Sequence, residues 1–329
     1  MSKEQLLSVT GLKKYFEISQ GMFKPKIVVK AVDDVSFDIY KGETFALVGE
    51  SGCGKSTTGR TILKLTEPTA GEVLFKGQNI ANLSYEAMRR LRSQMQMVFQ
   101  DPYASLNPKK TIQQILMEPL AVHKKFEPQE RLQKIIEILK VVGLSEAHLH
   151  RYPHEFSGGQ RQRIGIARAV ILNPDFIVAD EPVSALDVSV QSQVINLMLE
   201  IQKKLQLTYL FISHDLSVIQ HMTDRVAVMY LGRIVEIATT EELFDSPKHP
   251  YTQALLSAVP ISHPMEKRER IVLEGDVPSP ANPPSGCTFH PRCRFASDIC
   301  KQIAPSAVAF SDTHKATCHL YNTEEEQQQ

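Results

Sequence analysis

The sequence has no excess of either charge and no long apolar segment. Lysine and arginine together number 37, as do aspartate and glutamate, so no net charge draws the chain to nucleic acid or to anionic lipid. No apolar run approaches the roughly 18 residues that a membrane-spanning helix needs, and the polar segment 1–5 lacks the apolar core of a signal peptide. These absences predict a cytosolic protein without a nucleic-acid partner, and any role at a membrane would depend on partner chains.

The length and the hydrophobic content are those of an ordinary globular protein. The chain has 329 residues, which is enough for two domains or for one large domain with an appendage. Its hydrophobic fraction is 42%, close to the usual value for soluble domains. Composition therefore leaves the function to be inferred from motifs.

A glycine-rich loop stands between an apolar run and a helical segment. The run 44–48 is of strand type, and residues 57–65 favour a helix. The loop has the pattern G-x-x-x-x-G-K-S and comprises Gly49, Glu50, Ser51, Gly52, Cys53, Gly54, Lys55 and Ser56, followed by Thr57. Such a loop points successive N–H groups and the positive end of the next helix at one anion. The sequence therefore predicts a phosphate-binding P-loop.

Two side chains of this loop have the chemistry of a nucleoside triphosphate site. Lys55 would reach the terminal phosphates, and the Ser56 hydroxyl would take a place on Mg²⁺. Cys53 stands at a variable position, and we interpret it as a small filler rather than a catalytic thiol. The alternative is a glycine-rich turn without a ligand, which the flanking strand and helix disfavour.

An antiparallel sheet is predicted before the P-loop. Residues 6–10 and 27–40 have strand patterns, the second with charged neighbours typical of a partly exposed sheet. Between them, the aromatic pair in 12–16 has two interpretations, stacking on a nucleobase or packing in the core. The sequence alone does not separate these two roles.

A mostly helical stretch follows the P-loop. The patterns predict strands at 72–75 and 95–99 and helices at 84–93, 111–122 and 128–142, with Gly143 ending the last helix. Segment 101–108 is rich in turn residues, so no helix is expected there. The stretch resembles a helical subdomain of about residues 100–160.

A second candidate anion-binding site lies at the N-terminus of the next helix. Ser157 is a natural N-cap, and Gly158 and Gly159 leave the helix N-terminus bare beside Gln160. A pair of glycines alone is weak evidence for anion binding. The two carboxylates that follow later in the chain strengthen this interpretation.

Two carboxylates end the apolar run 176–181. In a P-loop protein, this is the Walker B arrangement, in which Asp180 would hold Mg²⁺ through water and Glu181 would polarise the attacking water. Two acids after a strand are also typical of a solvated turn, and the P-loop upstream favours the functional role.

The remaining elements complete an alternation of helices and strands. A tight turn at 184–187, a helix at 189–204, a strand at 209–212 and a hairpin at 225–237 are predicted. His214 follows the strand, where it is either structural or a contact of the γ-phosphate.

These motifs, in this order, resemble the ATP-binding cassette (ABC) ATPases over residues 6–259. The resemblance implies a sandwich of two cassettes, with each ATP between one P-loop and the signature helix of the partner. The resemblance implies that Gln100 senses Mg²⁺ and couples the ATPase to the membrane subunits, and that His214 contacts the γ-phosphate. It implies that Asp187 bridges the dimer and that the ATP site of the partner cassette is contacted by Ser157, Gly158, Gly159 and Gln160. Phe16 is the implied residue for adenine stacking, with Tyr15 as the second candidate. Phe156 stands where the signature usually has leucine, a conservative departure.

A narrower resemblance points to peptide and nickel importers, and within them to F-type ATPase subunits of oligopeptide and dipeptide permeases. It rests on the segments 151–163, 249–256 and 286–293. The implied partners are a homologous D-type ATPase, two membrane permeases and an extracytoplasmic binding protein. This places the chain on the cytoplasmic face of the membrane as a peripheral subunit.

Four cysteines lie late in the chain, at Cys287, Cys293, Cys300 and Cys318, and none forms a C-x-x-C pair. A reducing cytosol disfavours disulfides, so the thiols suit zinc or an iron–sulfur cluster, or they stay unliganded. His290, His314 and His319 are substitute ligands or surface residues. Some members of the similar subgroup carry a [4Fe–4S] cluster on this pattern, and a structural role is then expected.

We therefore expect an α/β P-loop NTPase core of RecA type with an antiparallel β subdomain, a helical subdomain and a small cysteine-containing appendage. The expected domains are 1–259 and 260–329, with a disordered end at 324–329. The expected function is ATP hydrolysis that powers oligopeptide or dipeptide import, with Glu181, His214, Lys55 and Gln100 as catalytic residues. The alternatives are import of nickel or another small solute, and a soluble ABC ATPase outside transport. The latter is disfavoured because the chain has one P-loop and no sustained heptads.

Overall fold

The structure is a computed structural model that describes residues 4–19, 21, 25–259 and 270–322, so the predicted disordered end lies outside the described residues. The strands are β1 (Gln5–Ile18), β2 (Ile27–Tyr40), β3 (Thr44–Val48), β4 (Ala70–Phe75), β5 (Gln78–Asn79), β6 (Met95–Val98), β7 (Phe176–Asp180), β8 (Thr208–Ser213), β9 (Arg225–Tyr230), β10 (Arg233–Thr239), β11 (Ala307–Ala309) and β12 (Lys315–Thr317). The helices are α1 (Lys55–Ile62), α2 (Tyr85–Leu91), α3 (Pro102–Ser105), α4 (Ile112–Val122), α5 (Pro128–Val141), α6 (Gly158–Val170), α7 (Val188–Leu205), α8 (Leu216–Met222), α9 (Thr240–Asp245), α10 (Pro250–Ser257) and α11 (Asp298–Gln302). Among the described helices, none is long and apolar enough to cross a membrane.

The chain divides into two compact units. The first comprises Met1–Gln5, Ile39–Thr44 and Asn82–Ser213, and the second comprises Leu6–Asp38, Phe45–Ala81 and His214–Gln329. Each unit is assembled from separate stretches of the chain.

The first unit contains the parallel strands β6, β7 and β8 and the helices α2 to α7. Strand β7 pairs in parallel with β6 and with β8, and every residue of β7 and β8 is buried. Continuous apolar runs of this kind are typical of parallel strands covered on both faces. The carboxyl end of β7 carries the two acids noted in the sequence.

The helices of the first unit bury apolar faces against one another. Helix α5 buries Ile135, Ile136, Ile138 and Leu139, and α7 buries Val194, Leu197, Met198 and Ile201. Helix α4 contacts both α5 and α6, and α6 contacts α7. The predicted helices at 111–122 and 128–142 are thus confirmed, and their helical periodicity is the reason they form.

The expectation that segment 101–108 has no helix is wrong. Helix α3 occupies Pro102–Ser105, with the Asp101 carboxylate accepting hydrogen bonds from the backbone N–H groups of Tyr103 (2.7 Å) and Ala104 (3.2 Å). Proline is favoured at the first helical position, where its missing N–H costs nothing. The Asp-Pro pair therefore starts a short helix here instead of marking a turn.

The second unit contains two sheets. Strand β3 pairs in parallel with β9, β9 and β10 form the predicted hairpin, and β12 and β11 extend this sheet beyond β10. The other sheet has the order β2-β1-β4-β5. Strand β1 extends to Ile18, further than predicted, so that residues 12–16 lie within it.

Candidate nucleotide-binding site

The P-loop has the strand–loop–helix context predicted for it. It leaves the fully buried β3 and enters α1, and Gly54 caps α1 with a φ of 109°. A Cβ on Gly54 would lie 2.0 Å from the Ala31 carbonyl oxygen, and one on Gly49 would lie 2.2 Å from the Met229 carbonyl oxygen. Both positions therefore require glycine, because the loop runs directly against neighbouring backbone.

Lys55 lies over the loop that precedes it. Its side chain is buried, and its Nζ donates to the carbonyl oxygens of Gly49 (2.8 Å) and Glu50 (3.0 Å). This arrangement holds a fixed positive charge at the phosphate-binding loop. Cys53 is buried, and burial raises the pKa of its thiol, in accord with its interpretation as a filler.

Glu50 has two partners that sequence reasoning missed. Its backbone N–H donates to the Tyr251 hydroxyl (2.9 Å), and its carboxylate accepts two hydrogen bonds from Arg292, of 2.7 and 3.2 Å. Both partners lie inside segments singled out for their resemblance to peptide importers, 249–256 and 286–293. That resemblance was the available signal, and the contact itself is too distant along the chain to read from the sequence.

The structure brings together Gln100 and Glu181. Asp180 ends β7 with a fully buried side chain, and Glu181 turns sharply away with a φ of 45°. The Gln100 amide donates to the Glu181 carboxylate at 2.8 Å, and the Glu181 backbone N–H donates to the Ile212 carbonyl at 3.0 Å. A non-glycine residue in the left-handed region is uncommon and marks a backbone position fixed by its surroundings.

A capping box closes the N-terminus of α6. The Ser157 hydroxyl accepts from the Gln160 backbone N–H (3.3 Å), and the Gln160 side chain accepts from the Ser157 backbone N–H (3.1 Å). A Cβ on Gly159 would lie 2.4 Å from Val190 Cγ1 of α7, whereas one on Gly158 would lie 3.5 Å from Leu186 Cδ2. Gly159 thus has a packing role that the sequence did not reveal.

The remaining predicted residues lie at element ends. Asp187 is the exposed N-cap residue of α7, and His214 is exposed directly after β8. The Ser184 hydroxyl donates to the Glu181 carbonyl at 3.1 Å, which fixes the turn before α7.

The two aromatic candidates in β1 have different environments. The Tyr15 hydroxyl donates to Asp33, which also accepts two hydrogen bonds from Arg233, of 3.0 and 2.7 Å. Burial and the bond to Asp33 raise the pKa of Tyr15 to about 12. Phe16 is 39% exposed, with Lys14 Nζ 4.9 Å from its ring centroid. Phe16 is therefore partly exposed, while Tyr15 is engaged in an ion-pair network.

The four late cysteines are all free thiols. Burial, reinforced by the neighbouring thiols, raises the pKa of Cys318 to about 11, and burial also raises the pKa of Cys287 and Cys293. Nevertheless, within the described ranges no three His, Cys, Asp or Glu side chains form a group that could hold a metal ion. The structure therefore does not supply the fit that a [4Fe–4S] cluster or zinc would require. His314 is a buried partner of Glu236 (2.7 Å) and not a surface residue.

The residue types predicted for the nucleotide site, each taken in its own unit, are of the kind that Mg²⁺ prefers. A hydroxyl at Ser56 and carboxylates at Asp180 and Glu181 are hard oxygen groups of the type that Mg²⁺ prefers. Gly49, Gly52 and Gly54 have positive φ values of 152°, 80° and 109°, a backbone conformation that glycine adopts at phosphate-binding loops.

Comparisons with known proteins agree with these features. Residues 32–184 match the family described as ABC transporter, and residues 235–300 match the family described as oligopeptide/dipeptide transporter, C-terminal region. The chain is 58% identical over 325 residues to the oligopeptide transport ATP-binding protein AppF of Bacillus subtilis (strain 168), covering 98% of this chain and 99% of the relative. It is 52% identical over 303 residues to the dipeptide transport ATP-binding protein DppF of Escherichia coli (strain K12), covering 92% of this chain and 91% of the relative.

Solved structures give the same assignment of the fold. The dimeric post-hydrolysis structure of the ATP-binding cassette MJ0796, bound to ADP and Pi, has a TM-score of 0.64 and 27% identity, and the match covers 71% of this chain and 99% of that one. The structure of cbiO1 from Clostridium perfringens has a TM-score of 0.64 and 28% identity, and the match covers 74% of this chain and 92% of that one. The P-loop NTPase cassette fold and the antiparallel subdomain predicted from the sequence are thus confirmed. The chain belongs to the ABC transporter ATP-binding proteins of the oligopeptide/dipeptide family, whose reaction is the hydrolysis of ATP.

Proposed function

We propose that this chain is the ATP-hydrolysing subunit that powers import of oligopeptides or dipeptides through a multisubunit ABC transporter. The observation that carries the proposal is the match over nearly the full length to peptide transport ATP-binding proteins, at 58% and 52% identity. The intact P-loop, the Gln100–Glu181 pair and the capped glycine-rich helix α6 support an active ATPase.

Each of the predicted site residues has its own role in the proposed hydrolysis of ATP. Lys55 and the P-loop amides bind the terminal phosphates, and Ser56, Gln100 and Asp180 are the proposed Mg²⁺ residues. When bound, Mg²⁺ neutralises charge that develops on the transferred phosphoryl group. Glu181, oriented by the 2.8 Å hydrogen bond from Gln100, polarises the attacking water as a general base. His214 contacts the γ-phosphate in this scheme, and Phe16 stacks on the adenine.

The other half of each ATP site lies on a second cassette in this proposal. The α6 segment Ser157–Gln160 and Asp187 serve that opposite site. We propose a homologous D-type ATPase as the second cassette, which makes this chain the F-type subunit. Two permeases and an extracytoplasmic peptide-binding protein complete the complex, with this chain held at the cytoplasmic face of the membrane. The matches over 98% and 92% of this chain support a peptide importer. The F-type role and the D-type partner rest on the resemblance of the segments 151–163, 249–256 and 286–293.

We also propose the domain division at residues 259 and 260, with the appendage as a family-specific module. The match to a separate oligopeptide/dipeptide transporter family supports a family-specific C-terminal region, which begins at residue 235 and so before the proposed boundary. A [4Fe–4S] cluster or zinc on the four late cysteines is a hypothesis that rests on their sequence pattern alone, because no such metal-holding group is found among the described residues, and no step of ATP hydrolysis is assigned to it. Iron and zinc analysis with an absorption spectrum of anaerobically purified protein tests it, and protein free of both metals refutes it.

The function is tested by purifying the tagged chain in mild detergent with the subunits that accompany it. ATP hydrolysis is then measured with the extracytoplasmic binding protein, with and without a mixed peptide pool. The proposal predicts co-purified permeases and stimulation by peptides. Stimulation by nickel alone replaces the substrate but keeps the mechanism, whereas the absence of any permease supports a soluble ATPase instead.

A further inference from the structure

Arg292 joins the cysteine-bearing tail to the P-loop. Its guanidinium makes two hydrogen bonds to the Glu50 carboxylate, Nη1 to Oε2 at 2.7 Å and Nη2 to Oε1 at 3.2 Å. The side chain of Arg292 is 7% exposed and that of Glu50 is 28% exposed. A parallel, two-pronged pair of this kind fixes direction as well as distance, so the tail holds the second residue of the P-loop in one geometry.

An aromatic cluster supports this ion pair from the side of the tail. The Phe289 ring lies 5.2 Å from Tyr230 and 5.4 Å from Tyr251, measured between ring centroids. All three rings are buried, and the Tyr251 hydroxyl accepts the hydrogen bond from the Glu50 backbone N–H. Glu50 is therefore held at both its backbone and its carboxylate by elements outside the P-loop.

Glu50 is an acid in a loop built to bind anions. Its charge opposes a polyphosphate at the same loop, since like charges at short range repel and a partly buried pair is poorly screened. The Arg292 guanidinium offsets that charge through its two hydrogen bonds to the Glu50 carboxylate. The two opposite charges of this ion pair therefore add no net charge to the loop.

We propose that Arg292 is a positioning residue for nucleotide binding, which neutralises and orients Glu50 so that the P-loop accepts the phosphates of ATP. The tail then contributes directly to the ATP site, beyond any role of its cysteines. This inference rests on the proposed nucleotide-binding role of the P-loop.

The test is the affinity of the full-length chain for MgATP, measured by calorimetry on four variants. Arg292→Met leaves the Glu50 charge uncompensated and is expected to weaken binding about tenfold, the scale of one charge-assisted interaction. Glu50→Gln leaves the arginine charge at the loop and is expected to tighten binding. The double variant removes both charges and is expected to bind close to wild type, and Arg292→Lys, which loses the two-pronged geometry, is expected to lie between wild type and Arg292→Met.

The opposite signs of the two single variants separate this proposal from a purely structural link, in which both would weaken binding. The penalty of Arg292→Met relative to wild type is also expected to shrink at about 0.5 M salt, because the repulsion is screened. The matched control is Arg294→Met, on the same tail segment, where the exposed guanidinium lies over the Phe295 ring 4.7 Å away. It is expected to bind MgATP as wild type does.

The outcomes distinguish this inference from the proposed function. If wild type fails to bind MgATP, or if Lys55→Ala binds it equally well, the nucleotide-binding role itself is refuted. If wild type binds and Lys55→Ala does not, while Arg292→Met and Arg292→Lys both bind like wild type, only the role of Arg292 is refuted. Should Arg292→Met not fold, the opposite shifts expected of Glu50→Gln and Arg292→Lys decide the question, and two shifts of the same sign overturn the proposal.

Discussion

The contact between Gly159 of α6 and Val190 of α7 allows the packing role of a glycine to be separated from its role in anion binding. A Cβ on Gly159 would approach Val190 Cγ1 to 2.4 Å, whereas carbon atoms pack at about 3.5–4.0 Å. The shortfall is about 1.1–1.6 Å, and the valine side chain has little freedom to rotate within a helix. We therefore expect the new methyl group to force α6 and α7 apart.

Overpacking of this kind typically costs about 1–3 kcal/mol. Alanine in place of glycine returns about 0.5–1 kcal/mol through helix propensity, so Gly159→Ala alone changes the free energy of unfolding modestly. In a Val190→Ala background the clash is gone, and the same substitution is expected to become stabilising. The coupling between the two substitutions is then about 1–3 kcal/mol, a shift in Tm of several degrees.

The assay is thermal and urea unfolding of the four proteins of this double-mutant cycle, with ATP hydrolysis measured in parallel. Gly158→Ala is the matched control, since its Cβ would lie at an ordinary 3.5 Å from Leu186. Equal effects of Gly159→Ala in both backgrounds would refute the packing argument. If Val190→Ala restores stability but not ATP hydrolysis to Gly159→Ala, the glycine serves the nucleotide site as well as the packing.

Three further predictions address the reaction and the tail. Glu181→Gln is expected to keep ATP binding and the contact with Gln100 but to lower turnover by about 10²–10⁴, and near wild-type turnover would remove Glu181 from the role of general base. Lys55→Ala is expected to lose most affinity for MgATP in the same calorimetric titration, because the fixed charge at the loop is gone; unchanged affinity would contradict the P-loop assignment. Burial opposes the ionisation of Glu242, but hydroxyls of Ser311, Thr313 and Thr239 outweigh it and lower its pKa to about 2. The ionised Glu242 side chain is therefore expected to add about 1 kcal/mol to the free energy of unfolding above pH 4.5, a figure reduced for its partial exposure. This contribution is lost as the pH falls towards 2, and Glu242→Gln should remove the corresponding pH dependence of urea unfolding.

Local signals in the sequence predicted the elements that carry the P-loop and the two acids. The run 44–48 and the glycines after it specify a strand and a tight turn without reference to the rest of the chain. The same holds for α5, whose apolar residues recur at helical spacing. These elements are confirmed because burial and local propensity point the same way.

Long-range contacts and competing local signals account for what was missed. The pair Glu50–Arg292 joins residues 242 positions apart, and no periodicity encodes it. Strands β11 and β12 have only three residues each and add to the edge of β10, so they leave no pattern to detect. Helix α3 was missed because Pro102 was interpreted as a turn signal, whereas Asp101 makes it the first residue of a helix.

Coupling between ATP hydrolysis by this chain and peptide movement is the central feature of the proposed function. The decisive measurement is uptake of a labelled peptide into vesicles that contain the purified complex, with binding protein and peptide outside and ATP inside. We expect uptake that requires ATP, fails with Glu181→Gln in this chain, and is competed by unlabelled peptides but not by nickel. Uptake that persists at the wild-type rate with Glu181→Gln, or a complex that moves no peptide while hydrolysing ATP in response to another solute, would contradict the proposed function.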